Sequence, residues 1–332
     1  VATDYHRGER AVQDRARLTS QAAHSLGGIG DAIPPVAAAF LAEQPMIIVG
    51  GADAAGRIWC SQLTGDPGFL SAPDPHTLTI DALPLAEDPL ADLLGEPARV
   101  GMIAIEPASR RRMRINGRST PVPGGLRVLP DQVIANCPKY IQKRDYRILR
   151  DPNSRRREDD RAVIRGTALT PDQQRTLRAA DTFFVATADE RGNTDASHRG
   201  GNPGFVEVSS PTVLRWPDYV GNAMFLTLGN LELHPVAGLL VPGWDNGTSL
   251  HLSGTTRTLW DGDEIARIPG AQRLVEFTVT DVVEIPDAVP LRWSAPQSSR
   301  FNPPVQHPTS APGTPAHPHT GKGVEPCASP ST

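Results

Sequence analysis

Asp195-Ala-Ser-His-Arg-Gly-Gly-Asn-Pro-Gly-Phe-Val206 reads as the end of one strand, a glycine-rich corner and the start of the next strand. Part of it has a twin earlier in the chain. Gly201-Asn-Pro-Gly-Phe-Val206 matches Gly65-Asp-Pro-Gly-Phe-Leu70, with Gly204 standing 136 residues after Gly68. Ser197 and Arg199 are two residues apart, so an extended strand projects both to one face. A hydroxyl beside a guanidinium suits a phosphate, which takes a neutral hydrogen bond from one and a forked, charged pair from the other. The same residues also suit a plain β-corner with a solvated arginine.

Working outward from the twin, the match continues. Met46-Ile-Ile-Val-Gly50 and Thr182-Phe-Phe-Val-Ala186 keep the offset of 136. Ala98-Arg-Val-Gly-Met-Ile103 resembles Pro235-Val-Ala-Gly-Leu-Leu240, and Ile115-Asn-Gly117 resembles Leu252-Ser-Gly254, both at 137. A nearly constant register over roughly 70 residues marks an internal repeat. In the first half, strand-like runs cover Met46–Gly50, Arg57–Leu63, Thr77–Ile80, Ala98–Glu106, Arg112–Asn116 and Leu126–Ile134. Each half thus holds about six strand candidates behind a helix, the pattern of a small antiparallel barrel. A duplicated pair packs face to face, as a two-fold homodimer would. The expected fold is mainly β with flanking helices, built as two tandem split β-barrels forming an intramolecular pseudo-dimer.

The divisions follow. Residues 1–30 form an N-terminal helical segment, with one amphipathic helix over 5–25 ending near Gly27-Gly28. Residues 31–150 are the first repeat, opened by a helix from Pro35. Residues 151–168 are a linker carrying both charge signs, including Arg155-Arg-Arg-Glu-Asp-Asp160. Residues 169–298 are the second repeat, whose first helix has Thr170 as cap, Pro171 at its first position and Asp172 in its first turn. Residues 299–332 read as a disordered tail. The prolines around His307, His317 and His319 argue for disorder over a metal site.

Composition excludes several classes. The net charge of −4 over 332 residues supplies no field toward nucleic acid or an anionic membrane. No apolar run reaches the ~20 residues of a membrane span, and the first residues lack the apolar core of a signal peptide. Cys60, Cys137 and Cys327 form neither a disulfide framework nor a metal-ligand pattern. A cytoplasmic protein without nucleic-acid or membrane partners is expected, a monomer with its internal pseudo-dimer or a homodimer.

The halves are unequal. At the offset of 136, Ser61-Gln62-Leu63 stands where Ser197-His198-Arg199 stands, so the arginine is a leucine in the first half. At 137, Pro217–Asn222 is set against Ile80–Leu85, which matches Gly221 and Asn222 with Pro84 and Leu85. Asn136-Cys-Pro-Lys-Tyr-Ile-Gln-Lys-Arg144 has no second-half counterpart of Lys139 and Tyr140. Complementary loss of this kind fits a pseudo-dimer with one composite site; ordinary drift of a repeat gives the same pattern.

The motifs Ser197-His-Arg-Gly-Gly-Asn-Pro-Gly-Phe-Val206, Asp218-Tyr-Val-Gly-Asn222, Thr227-Leu-Gly-Asn-Leu231 with His234-Pro235, Leu252-Ser-Gly254 and Asn136-Cys-Pro-Lys-Tyr-Ile141 carry a family resemblance. So does Tyr5-His-Arg-Gly-Glu9. Over about residues 5 to 293 the chain resembles the flavin-binding split-barrel proteins of the pyridoxamine 5′-phosphate oxidase type. The resemblance implies FMN in a cleft between two barrels and an oxidoreductase acting on a small-molecule substrate with an electron donor or acceptor. It implies Arg199 on the FMN phosphate, Ser197 and His198 along the ribityl chain or ring, and Asp218, Gly221 and Asn222 as a second phosphate-side segment. Better-known members place a Ser-Arg or Arg-Lys pair in that segment, where this chain has Ala223 and Met224 after Asn222. Lys139 and Tyr140 are implied to enter from the first half, Lys139 standing in for the missing cation or lying near the ring N1–C2=O. A deazaflavin-dependent reductase or a flavin- or haem-binding module without turnover would share the fold. His6 reads as a substrate contact or a surface histidine, His251 as cleft-facing or solvated, Trp260 as core, and Cys137 as a buried structural cysteine.

Overall fold

A computed structural model of the chain describes residues 4–135, 138–149 and 162–305. The first half runs α1 (Arg7–Ala16), α2 (Thr19–Leu26), β1 (Ile29–Gly30), α3 (Pro35–Ala42), β2 (Met46–Ala52), β3 (Ile58–Thr64), β4 (Leu70–Asp74), β5 (Thr77–Ile80), α4 (Ala91–Leu94), β6 (Ala98–Glu106), β7 (Arg111–Val122), β8 (Gly125–Ala135) and β9 (Tyr146–Ile148). The second runs β10 (Ile164–Gly166), α5 (Pro171–Ala179), β11 (Thr182–Ala188), β12 (Thr194–Gly200), β13 (Glu207–Ser210), β14 (Val213–Tyr219), α6 (Leu226–Leu233), β15 (Val236–Pro242), β16 (Ser249–Leu259), α7 (Asp263–Ala266), β17 (Ala271–Ile285) and β18 (Leu291–Trp293).

Each half folds into one eight-stranded antiparallel sheet, and the strand orders correspond throughout: β3-β2-β6-β7-β8-β5-β4 and β12-β11-β15-β16-β17-β14-β13. The short strands β1 and β10 add to β8 and β17 in the same way. The chain is two tandem split β-barrels packed as an intramolecular pseudo-dimer. Strands β2, β3 and β6 face β11, β12 and β15 across the join. That is why β2 and β11 are buried on both faces and read as unbroken apolar runs rather than alternating ones. The close approach is written in glycines. A Cβ on Gly101 would lie 2.5 Å from the Asp195 Cα, and one on its repeat partner Gly238 would lie 2.6 Å from the Trp59 Cα. Trp59 and Asp195 are themselves repeat partners, so one contact is the pseudo-symmetric copy of the other.

Register fixes the alignment of the halves. Ile47 pairs with Leu63 and Phe183 with Arg199, so Leu63 and Arg199 are true equivalents. Leu78 pairs with Val128 and Leu214 with Phe277. The offset is therefore still 136 at Ile80 and Trp216, and setting Pro217 against Ile80 is one residue out. The one-residue step to 137 falls between β14 and β15, and the offset rises again to 149 at β8 and β17, where Ile115 pairs with Val133 and Leu252 with Val282.

Several elements depart from the sequence reading. The single helix expected over 5–25 breaks at Arg17, which adopts φ 57° and returns its N–H to Asp14 and Gln13 carbonyls. This left-handed cap normally calls for glycine, so the sequence gives no warning. Strand β4 escapes notice because Leu70-Ser-Ala-Pro-Asp74 has one large apolar residue and a proline, a composition tolerated at a sheet edge. Residues 164–166, inside the expected linker, form β10. Residues 299–305, counted with the tail, pack on both halves: Asn302 Nδ2 donates to Gln142 Oε1 of the first at 2.9 Å and Asn202 Nδ2 of the second donates to the Pro303 carbonyl at 3.0 Å. Cys137, Cys327, the tail histidines and most of the linker lie outside the described residues. Among the described residues, no helix is long and apolar enough to cross a membrane.

Candidate functional site

The glycine-rich corner Asp195–Val206 sits at the join between the barrels. Strand β12 ends at Gly200, where a Cβ would lie 2.1 Å from the Tyr140 carbonyl oxygen. Glycine there lets the first-half segment 138–142 lie directly on the strand end. Tyr140, at φ 67°, donates its hydroxyl to the Val220 carbonyl at 3.0 Å and packs on the Tyr219 ring at 5.2 Å. The loop from Val220 to Phe225 forms the opposite lip. Ala223 and Phe225 both have φ 60°, an unfavourable conformation for residues with a Cβ. The N-terminal helices hold this loop: Ser25 Oγ donates to the Asn222 carbonyl at 2.6 Å and Gln13 Nε2 to the Met224 carbonyl at 3.2 Å.

Between the lips lies a cavity of about 240 Å³. Lys139, Tyr140, His198, Arg199, Asp218, Gly221 and Asn222 all line it. Ser197, fully buried, stands behind it and accepts from Arg199 Nη1 at 2.5 Å and Arg114 Nη2 at 2.8 Å. The expected shared face of Ser197 and Arg199 is thus realised, with the hydroxyl bracing the arginine. Among the described residues no carboxylate forms an ion pair with Arg199; Asp218 acts on it only at longer range. Lys139 lies at the rim, its ammonium 5.9 Å from the Phe301 ring.

Three cations were not singled out from sequence. Arg112 and Arg114 reach the cavity from β7 of the other barrel, and Arg273 from β17. Arg112 Nη1 donates to His198 Nδ1 at 2.9 Å, which leaves the ring proton on Nε2. Burial first, and then the charges of Arg112, Arg199 and Arg114, push the His198 pKa well below the usual imidazole range, so the ring is neutral. Arg114 forks onto Asp195 at 2.9 and 3.1 Å. Asp195 also accepts from Asn116 Nδ2 at 3.2 Å and Thr227 Oγ1 at 3.4 Å, tying both barrels and α6 together. Arg273 sits opposite Asp218 in the β14–β17 register, 3.5 Å from its carboxylate, between the Phe225 and Trp260 rings. Trp260 packs against the core of the second barrel, as expected, and also carries Arg273 on its face. A signal for the β7 pair was present in the sequence: Arg112, Arg114 and Asn116 alternate along a strand and share one face. Arg273 had none.

The pseudo-symmetric position in the first half is filled with protein. Leu63 lies in the core at 1% exposure. His251, the equivalent of Arg114, is fully buried and pairs through Nδ1 with the Cys60 carbonyl at 2.8 Å, so it faces neither the cavity nor solvent. Ser61 Oγ, equivalent to Ser197 Oγ, donates to Asp88 at 2.6 Å. His6 is half-buried: it caps α1 and lies 3.1 Å from Asn230 Oδ1. Among the described residues no group of three or more metal-ligating side chains comes together.

No protein-family model and no curated protein matches the sequence. Solved structures do show similarity. A candidate pyridoxamine 5′-phosphate oxidase from Lactobacillus delbrueckii is 18% identical at a TM-score of 0.30, with 35% of this chain and 94% of that one covered. An FAD-binding protein from Mesorhizobium loti is 13% identical at 0.27, with 37% and 98% covered. The haem storage protein HutZ from Vibrio cholerae is 14% identical at 0.26, with 35% and 95% covered.

Proposed function

We propose that this cavity holds the phosphate end of FMN, and that the chain is an FMN-dependent oxidoreductase of the pyridoxamine 5′-phosphate oxidase-like type acting on a small molecule. One observation carries the reading. Arg114, Lys139, Arg199 and Arg273 line the cavity, and Asp218 is the single carboxylate among its described lining residues. With Asp195 counted behind Arg114, cations still exceed carboxylates, an excess that a dianionic phosphate would balance. Arg199, without an ion-pair partner among the described residues, is the principal phosphate ligand, and Ser197 fixes its direction. Arg114 brings a guanidinium to the cavity wall from the other barrel, held in place by Asp195. Neutral His198, its Nε2–H buried and without a partner among the described residues, is a donor for an oxygen of the ligand.

Bound there, the flavin supplies two-electron chemistry, and the protein contributes binding, orientation and electrostatics. The similar structures include flavin- and haem-binding proteins, so the test must read the ligand itself. Mass spectrometry of the small molecule released from purified protein is expected to give the mass of FMN. Haem, a deazaflavin, or failure of the ligand-free protein to take up FMN would overturn the proposal.

A further inference from the structure

A second, larger chamber of about 550 Å³ adjoins the flavin cavity. The two share Leu226, and the Arg114–Asp195 pair stands between them: Arg114 lines one and Asp195 the other. The N-terminal helix closes the chamber from outside. A Cβ on Gly8 would lie 2.2 Å from the Gly229 carbonyl oxygen, so these two glycines let α1 lie directly on α6. His6 secures the same contact through Asn230. The wall is therefore a built part of the fold.

The inner wall is carboxyl and amide, and the donors of Asn116 and Asn230 are already spent. Asn116 Nδ2 serves Asp195 and Gln132, an assignment fixed because only the amide nitrogen can approach a carboxylate. Asn230 Nδ2 serves Thr187. Acceptors remain: Asn116 Oδ1 is buried with no donor among the described residues, and Asn116 itself is 7% exposed. The rim has the opposite character. Arg7, Arg10 and Arg118 are neutralised by Glu190, Asp4 and Asp131. Arg99 of β6, which donates to Asn193 Oδ1, and Arg191 of the β11–β12 turn are both exposed and have no carboxylate partner among the described residues.

We propose that this chamber is the reactant pocket of the flavin site and takes a small organic anion. The anionic end is held by Arg99 and Arg191, and an N–H or O–H donor at the other end points to the Asn116 side. The volume suits such a ligand, since small-molecule pockets run from about 300 to 1,000 Å³. The inference rests on the flavin reading only for the word reactant; binding in the chamber is separate.

The probe is 4-hydroxybenzoate, which carries a carboxylate and a donor at opposite ends. Its affinity is measured by calorimetry on the ligand-free and the FMN-loaded protein. Benzoate lacks the donor and 4-hydroxybenzyl alcohol lacks the charge, and each is expected to bind at least about tenfold more weakly. The double variant Arg99→Gln/Arg191→Gln is expected to lose about tenfold or more in 4-hydroxybenzoate affinity while keeping its FMN affinity. Equal binding of the three compounds, no binding of any, or unchanged affinity in the double variant would overturn the chamber proposal. Probe binding that depends on the two arginines in a protein that takes no FMN would uphold the chamber and defeat the cofactor reading instead.

Discussion

At the scale of single residues, the site is a contest between burial and charge. Glu9 shows it most clearly. It belongs to the capping box of α1, as the sequence pattern allows, yet it is also buried beside Asp195 and Asp189. Burial first, and then those carboxylates, push its pKa up to about 8. The folded protein then keeps a proton that the unfolded chain releases near the ordinary value of 4.5. Stability is fully present below that ordinary value and falls as pH rises toward 8, by at most about 1.4 kcal/mol per pH unit from this group. Glu9→Gln keeps the capping geometry and removes the titration. Urea denaturation at pH 5.5 and 7.5 should show the wild type losing more stability than the variant across that interval; equal losses would contradict the assignment. Asp195 is held in place by hydrogen bonds from Arg114, Asn116 and Thr227. Asp195→Ala strands Arg114 and should cost about 3–5 kcal/mol in denaturant unfolding. A loss below about 1 kcal/mol would mean that Arg114 finds another partner. Sequence reasoning reached Arg199 but not Arg114, because the partner that orients Arg114 lies 81 positions away on another barrel.

At the scale of elements, legibility followed how local the determinant was. Thr170-Pro-Asp-Gln173 holds its whole signal in four residues, and the structure forms the complete capping box there. The strand runs were readable from their apolar content. The break at Arg17 and the lip loop at Ala223 and Phe225 were not, because both place non-glycine residues at positive φ under tertiary control. The lip depends on α1 and α2, and α1 depends on its contact with α6. Gly8→Ala inserts a methyl where 2.2 Å is available, so it should lift α1 and destabilise the protein by about 1–3 kcal/mol. The melting temperature and the FMN dissociation rate report this together. A variant that melts unchanged and releases FMN unchanged would show that α1 does not brace the lip.

At the scale of the whole molecule, the repeat could be read from a near-constant offset, because a duplicated fold keeps its register where strands pair. The candidate composite site could be read only in part. The loss of the arginine at Leu63 was visible, while the cations supplied across the pseudo-dimer needed the packing of two sheets to appear. Burial of Leu63 and His251 leaves the first-half counterpart filled with protein, so one FMN per chain is expected by calorimetric titration. Two equivalent sites would contradict the asymmetry. The central claim is that the cavity recognises the phosphate through Arg199. Arg199→Leu copies what the equivalent position already carries at Leu63 and removes a charge-assisted pair worth about 1.5–3 kcal/mol. The decisive measurement is the ratio of FMN to riboflavin dissociation constants in the wild type and in this variant. The wild type should favour FMN, and the variant should weaken FMN by roughly tenfold to somewhat over a hundredfold while riboflavin, which has no phosphate, hardly changes. Equal weakening of both ligands, or of neither, would contradict the account.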